Sequence, residues 1–162
     1  MTPRLMLALC AALLLAACDT TGAAKTADQP APQIANAPTG TVVPGEMDGI
    51  DANIGNTVYF DTDSSSLNTE AQAQLKKEAL WLQQYKQHSV TIEGHADERG
   101  TREYNLALGE RRAEAIVSYL QALGIDRGRL KEISYGKERP ICVDSTETCW
   151  SQNRRGVTTL DN

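Results

Sequence analysis

The sequence has no excess of basic side chains and no second long apolar run after its N-terminus; it holds only two histidines and four cysteines. Its 16 Lys and Arg stand against 21 Asp and Glu, a formal charge of −5; loss of residues 1–17 would remove Arg4 alone from that balance and give −6. Phosphate backbones are bound through an excess of Lys and Arg, so nucleic acid is excluded as the main partner, while local basic spots remain. Two histidines, with cysteines that never stand as Cys-x-x-Cys, are a poor ligand set for a closed metal site, and no metal or cofactor is expected. A Gly-x-Ser-x-Gly elbow and a pair of histidines at metal spacing are also missing. His95 and Asp97 could be drawn as half of a hydrolase site, but the other half is absent, so no enzyme is expected.

What is present begins with the apolar run Leu5 to Ala17, preceded by the basic Arg4 and followed by Cys18. A helix of that length falls short of the roughly 30 Å hydrocarbon core, so the run reads as an export signal and not as a membrane anchor. Leu15-Ala16-Ala17-Cys18 resembles a bacterial lipoprotein lipobox. That resemblance implies cleavage before Cys18 and acylation of Cys18, whose several chains would hold the protein to a bilayer. An ordinary secretory signal with an incidental cysteine is the alternative.

Residues 18–53 are rich in Ala, Thr, Gly and Pro, with Pro30, Pro32, Pro38 and Pro44 and few large apolar side chains. Such a segment cannot bury enough surface to fold, so a tether spanning on the order of 30–35 Å as a coil is expected. Residues 54–162 suit one domain with one core. In an exported chain Cys142 and Cys149 are either a disulfide, worth roughly 2–3 kcal/mol for so short a loop, or two free thiols.

Within the domain, Thr57-Val58-Tyr59-Phe60 reads as a strand entering the polar loop from Asp61 to Ser66. Asn68 or Thr69 can cap a helix in which Ala71, Leu75, Leu82 and Tyr85 recur at helical spacing. Ser89 to Gly94 alternates as a second strand. A helix from about Glu103 to Leu123 follows, its apolar face drawn through Leu106, Ala113, Ile116, Val117, Leu120 and Leu123. A third strand near 130–135, a short helical stretch near Ser151 and a strand from Gly156 to Leu160 complete a β-α-β-α-β-(α)-β order. The fold class expected is α+β, a two-layer sandwich with the helices packed on one face of a four-stranded mixed sheet. Right-handed crossovers bring the loops after the first two strands to one edge.

The candidate site lies at that edge, in GHADERGTREYN, Gly94 to Asn105, and the following helix. Asn105 and Arg112 are seven apart and share a helix face with Ala113 and Ile116, which predicts burial of Arg112. A buried guanidinium asks for an anionic partner, and Asp97 is a candidate. Either Asp97 and Arg112 pair and stitch loop to helix, or they flank a gap that receives a ligand with both an amine and a carboxylate. Arg99, Arg102 and Arg111 are read as solvated or as contacts for a protein partner, Tyr104 as a packing residue, and His95 as a loop-holding hydrogen-bonding group.

The block from Gly94 to Ala113, with Asn153-Arg154-Arg155 near the end, resembles the OmpA-like peptidoglycan-binding domain family. The resemblance implies non-covalent binding of peptidoglycan stem peptide through meso-diaminopimelate, whose free end is a zwitterion. Carried over by position, Asp97 would bind the ammonium and Arg112 the carboxylate. Asn105 and the loop Asp61, Thr62 and Asp63 would shape the pocket, and Arg154 would contribute. It further implies a place at the outer membrane facing the periplasm, with TolB and TolA as protein partners and a role in envelope integrity and cell division. A module whose main ligand is a TolB-like protein is the alternative. Asp19, beside the lipidated cysteine, is a residue that favours inner-membrane retention in enteric bacteria.

Overall fold

A computed structural model describes residue 50 and residues 54–161. The signal segment, Cys18 with its lipidation, Asp19 and the prolines of the tether lie outside the described residues. Among the described residues no helix is long and apolar enough to cross a membrane.

Strand β1 (Thr57–Tyr59) is followed by α1 (Thr69–Gln84), β2 (Val90–His95) and α2 (Arg102–Ala122). A 3-10 turn (Arg127–Arg129) leads into β3 (Leu130–Gly136), then α3 (Glu147–Asn153) and β4 (Arg155–Leu160). The sheet order is β1-β4-β2-β3, with β4 antiparallel to both β1 and β2 and β2 parallel to β3. This is the expected α+β mixed sheet. Because β1, β2 and β3 all run the same way, the loops leaving β1 and β2 emerge at one edge, on either side of the β4 start.

Each main helix begins where a side chain can satisfy its first free N–H groups. Asn68 Oδ1 accepts from the Ala71 N–H at 2.8 Å, and Thr101 Oγ1 accepts from the Tyr104 N–H at 3.1 Å. Past α2, Gly124 takes a φ of +91°, a conformation that an L side chain resists.

The core lies between helices and sheet, where Leu75, Leu82, Val90, Ile92, Ile116 and Leu120 are all fully buried. Ile50 is also buried among these residues, although it falls in the stretch expected to be tether; it is a large apolar side chain in a segment otherwise poor in them. Glu78 is buried on α1 and accepts from the Thr158 hydroxyl at 2.7 Å, linking α1 to β4.

Leu106 departs from expectation, being 49% exposed. The buried stripe of α2 runs through Asn105, Leu108, Gly109, Arg112, Ala113, Ile116, Val117 and Leu120, the i, i+3, i+4 spacing of a single face. Two of its positions are polar and one is glycine, so the stripe starting at 105 turns Leu106 outward.

Gly109 and Gly94 fix the distance between α2 and β2. A Cβ on Gly94 would stand 1.8 Å from the Gly109 carbonyl oxygen, and one on Gly109 would stand 2.3 Å from Ser134 Oγ and 2.8 Å from the Gly94 carbonyl oxygen. Backbone therefore meets backbone at the level of the site. Gly94→Ala is expected to lower unfolding free energy by about 1–3 kcal/mol, the usual cost of overpacking, as read by urea denaturation. An unchanged midpoint would mean that helix and strand can separate without cost.

Candidate functional site

Arg112 is the largest fully buried side chain of the described residues. Its Nε donates to the Ser64 carbonyl at 2.8 Å, Nη1 to the His95 carbonyl at 2.7 Å and Nη2 to the Asp61 carbonyl at 3.0 Å. Of the two alternatives, the direct Asp97–Arg112 pair is not formed: three backbone carbonyls hold the guanidinium where an anionic partner was anticipated. Carbonyls suffice because each backbone oxygen is a full acceptor with two lone pairs. Among the described residues these bonds use three of the five N–H groups of the guanidinium. The Phe60 ring lies 5.1 Å from the guanidinium carbon. Burial draws the Arg112 pKa down to about 10, with Asp97 opposing the shift and Arg154 adding to it.

Asp97 is held by other cations. Arg99 binds both of its oxygens, Nε to Oδ1 at 3.1 Å and Nη2 to Oδ2 at 2.6 Å, and the Arg99 backbone N–H adds a bond to Oδ1 at 3.1 Å. Arg154 approaches Oδ2 from the protein side at 3.4 Å while donating to the Phe60 carbonyl and, at 2.6 Å, to Glu147. Burial alone would raise the Asp97 carboxyl, but the Arg99 bonds and charge, with Arg154, hold it below the usual carboxylate range.

Asn105, 2% exposed, donates to the Arg99 carbonyl at 2.8 Å and so ties the first turn of α2 to the loop after β2. Asp63 adopts a left-handed φ of 56° and accepts a hydrogen bond from the Tyr104 hydroxyl, which closes the opposite side. These groups surround a cavity of about 280 Å³ lined by Thr62, Asp63, Asp97, Arg99, Gly100, Tyr104, Asn105, Leu108 and Arg112. A second cavity, of about 340 Å³, borders Tyr59, Phe60, Asp61 and Arg154 but includes neither Asp97 nor Arg112. The first one gathers the charged pair and is the candidate site.

Of the residues singled out in the sequence, Thr62, Asp63, Asp97, Asn105 and Arg112 line this cavity. Asp61 contributes its carbonyl to Arg112 and does not line it, and Arg154 lies behind Asp97. Arg99, read as solvated or partner-facing, instead clamps Asp97 and stacks on Trp150 with 4.3 Å from its guanidinium carbon to the ring centre. Tyr104, read as a packing residue, is 43% exposed at the rim. The spacing Asp97-x-Arg99 was the available signal, since a side chain two residues along a bend can fold back on its neighbour.

Behind the site, Cys142 and Cys149 are joined, with their Cα atoms 5.0 Å apart. Asn153 accepts from the Ile141 and Cys142 N–H groups and donates to the Cys142 carbonyl, fastening that loop to the end of α3. His95 stacks near Tyr135, 5.5 Å between ring centres, with Nε2 3.4 Å from Glu93. Its main service to the site is its carbonyl, which Arg112 uses. Among the described residues no group of three or more His, Cys, Asp and Glu could hold a metal ion.

A four-stranded mixed sheet with helices on one face, carrying a charged pocket at the edge where β1 and β2 end, defines a small α+β binding domain. The family model described as the OmpA family matches residues 59–154, and the chain belongs to that family. It is 51% identical over 155 residues to the peptidoglycan-associated lipoprotein of Mesorhizobium japonicum, covering 96% of this chain and 90% of that one. It is 54% identical over 122 residues to the peptidoglycan-associated lipoprotein of Brucella melitensis, covering 75% of this chain and 73% of that one. Among solved structures, the peptidoglycan-associated lipoprotein from Burkholderia pseudomallei superposes with a TM-score of 0.64 at 42% identity, covering 65% of this chain and 90% of that one.

Burial, then the charges of Arg155 and Arg139, lower the His95 pKa from 6.5 to about 4. The unfolded chain therefore takes up a proton near pH 6.5 that the folded chain refuses until about pH 4, and stability falls as pH drops through that window. Between pH 7 and pH 5 the expected loss is on the order of 1–2 kcal/mol by chemical denaturation, and His95→Gln should flatten the slope. An equal slope in that variant would assign the pH dependence to other groups.

Proposed function

We propose that this domain binds the stem peptide of peptidoglycan through meso-diaminopimelate and serves as a non-covalent anchor between membrane and cell wall. The observation that carries the reading is a buried guanidinium, Arg112, lining the same cavity as the Asp97 carboxylate. A zwitterionic amino-acid end complements that pair: its carboxylate takes the fork of Arg112 and its ammonium takes Asp97. Asn105, Thr62 and Asp63 supply polar walls. The coarser reading is supported by the names of the relatives that are 51% and 54% identical. The cell wall anchor of the type VI secretion system of Pseudomonas aeruginosa superposes with a TM-score of 0.55 at 27% identity.

The finer picture adds a signal peptide of residues 1–17, a lipidated Cys18 and a tether to residue 53, placing the domain on the periplasmic side of the outer membrane. Within the Tol-Pal system, TolB and TolA would be its protein partners, and exchange between wall and TolB would serve envelope integrity during constriction and division. The protein acts in this reading by binding, with no reaction catalysed.

Calorimetric titration of the purified full chain in detergent with L-Ala-γ-D-Glu-meso-diaminopimelate, beside the same tripeptide ending in lysine, tests the proposal. The lysine peptide keeps the amine and lacks the carboxylate, so at least a tenfold weakening is expected. Asp97→Asn should weaken the diaminopimelate peptide by about 30-fold or more, the lower end of the 2–5 kcal/mol usual for a truncated buried charge contact. Binding of neither peptide would leave Asp97 and Arg112 as parts of the loop scaffold and turn the search to protein partners.

A further inference from the structure

Arg99 closes the outer side of the candidate cavity, yet it rides on a bend and its side chain is 39% exposed. A long arginine side chain with that much exposure ordinarily loses rotamer entropy on being held in one geometry, even against a buried carboxylate such as Asp97. Here the guanidinium is fixed from a third direction. Trp150 lies under it with 4.3 Å from ring centre to guanidinium carbon, and the Trp150 indole N–H donates to Glu98 Oε1 at 2.9 Å, which sets the plane of the ring. Glu147, one turn earlier on α3, stands 3.8 Å from Arg99 and 2.6 Å from Arg154.

Both arginines that reach Asp97 are thus arranged by a single short helix. That helix is delivered by a loop closed by Cys142–Cys149 and fastened by Asn153. Trp150 does not itself line the cavity and reaches it only through Arg99.

We propose that Trp150 is a positioning residue for the pocket: by stacking on Arg99 it holds that guanidinium across Asp97 and so sets the orientation and charge of the carboxylate that receives a cationic ligand group. This rests on the zwitterion-binding reading for its effect on affinity, while its effect on Asp97 is independent of any ligand. The flat π face is the operative feature, since a guanidinium stacks on an aromatic ring and has no comparable contact with an aliphatic side chain of similar bulk.

The test compares Trp150→Leu, which fills the space without a π face, with Trp150→Phe, which restores the face but not the indole N–H. In the full chain, carbon-13 NMR of the Asp97 carboxyl is followed through an acid titration without ligand, and affinity for the diaminopimelate tripeptide is measured separately. Trp150→Leu is expected to move the Asp97 midpoint upward and to weaken the peptide at least fivefold, and Trp150→Phe to lie near wild type in both. A simple structural role for the ring would lower thermal stability and leave the Asp97 midpoint unmoved. The inference is overturned if Trp150→Leu keeps the wild-type midpoint, or if Trp150→Phe behaves as the leucine variant does. Failure of the wild-type chain to bind the tripeptide sinks the ligand reading instead, and the Asp97 midpoint still decides the role of Trp150.

Discussion

A single buried cation organises the sheet edge that carries the candidate site. The Arg112 guanidinium, wholly out of water, is bonded to the carbonyls of Asp61 and Ser64 on the loop after β1 and of His95 at the end of β2. Removing a guanidinium from water is costly unless its donors are met, so that loop and the strand end cannot drift apart without leaving a buried charge unsatisfied. The close approach of Gly94 and Gly109 makes this possible, because only bare backbone allows α2 to lie near enough to β2 for Arg112 to reach across.

Three arginines divide the work around one carboxylate. Arg112 faces the cavity from within, Arg154 braces Asp97 from behind, and Arg99 covers it from outside. Asp97 stays ionised there despite burial, since the cations around it outweigh its lost hydration. The cavity is thus lined by both signs of charge.

Much of the architecture was legible in the local pattern. Period-two and helical spacings placed β1 to β4 and α1 to α3 to within a few residues, because side-chain periodicity directly reports which face is buried. The crowding of polar groups between Gly94 and Asn105 marked the site for a similar reason: a mere connection does not need so many. Leu106 escaped that logic, because hydrophobic residues were used to draw the face of α2 and the true stripe contains Asn105, Gly109 and Arg112. Arg99 escaped it as well, since nothing in a one-dimensional reading reveals that Trp150, 51 positions later, will lie beneath it.

The sequence by itself therefore determined the α+β class and brought Asp97 and Arg112 forward as residues that line one cavity, which follows from local spacing and residue chemistry. Only the tertiary structure decided what those charges touch. The partners of Arg112 lie 17 to 51 residues away, and which carbonyls reach it depends on the β1-β4-β2-β3 order and on the glycine contact between α2 and β2. Hydrogen bonds between distant loops are set by where the backbone is carried, and that is a property of the packed sheet and helices, not of the residues on either side of the bond.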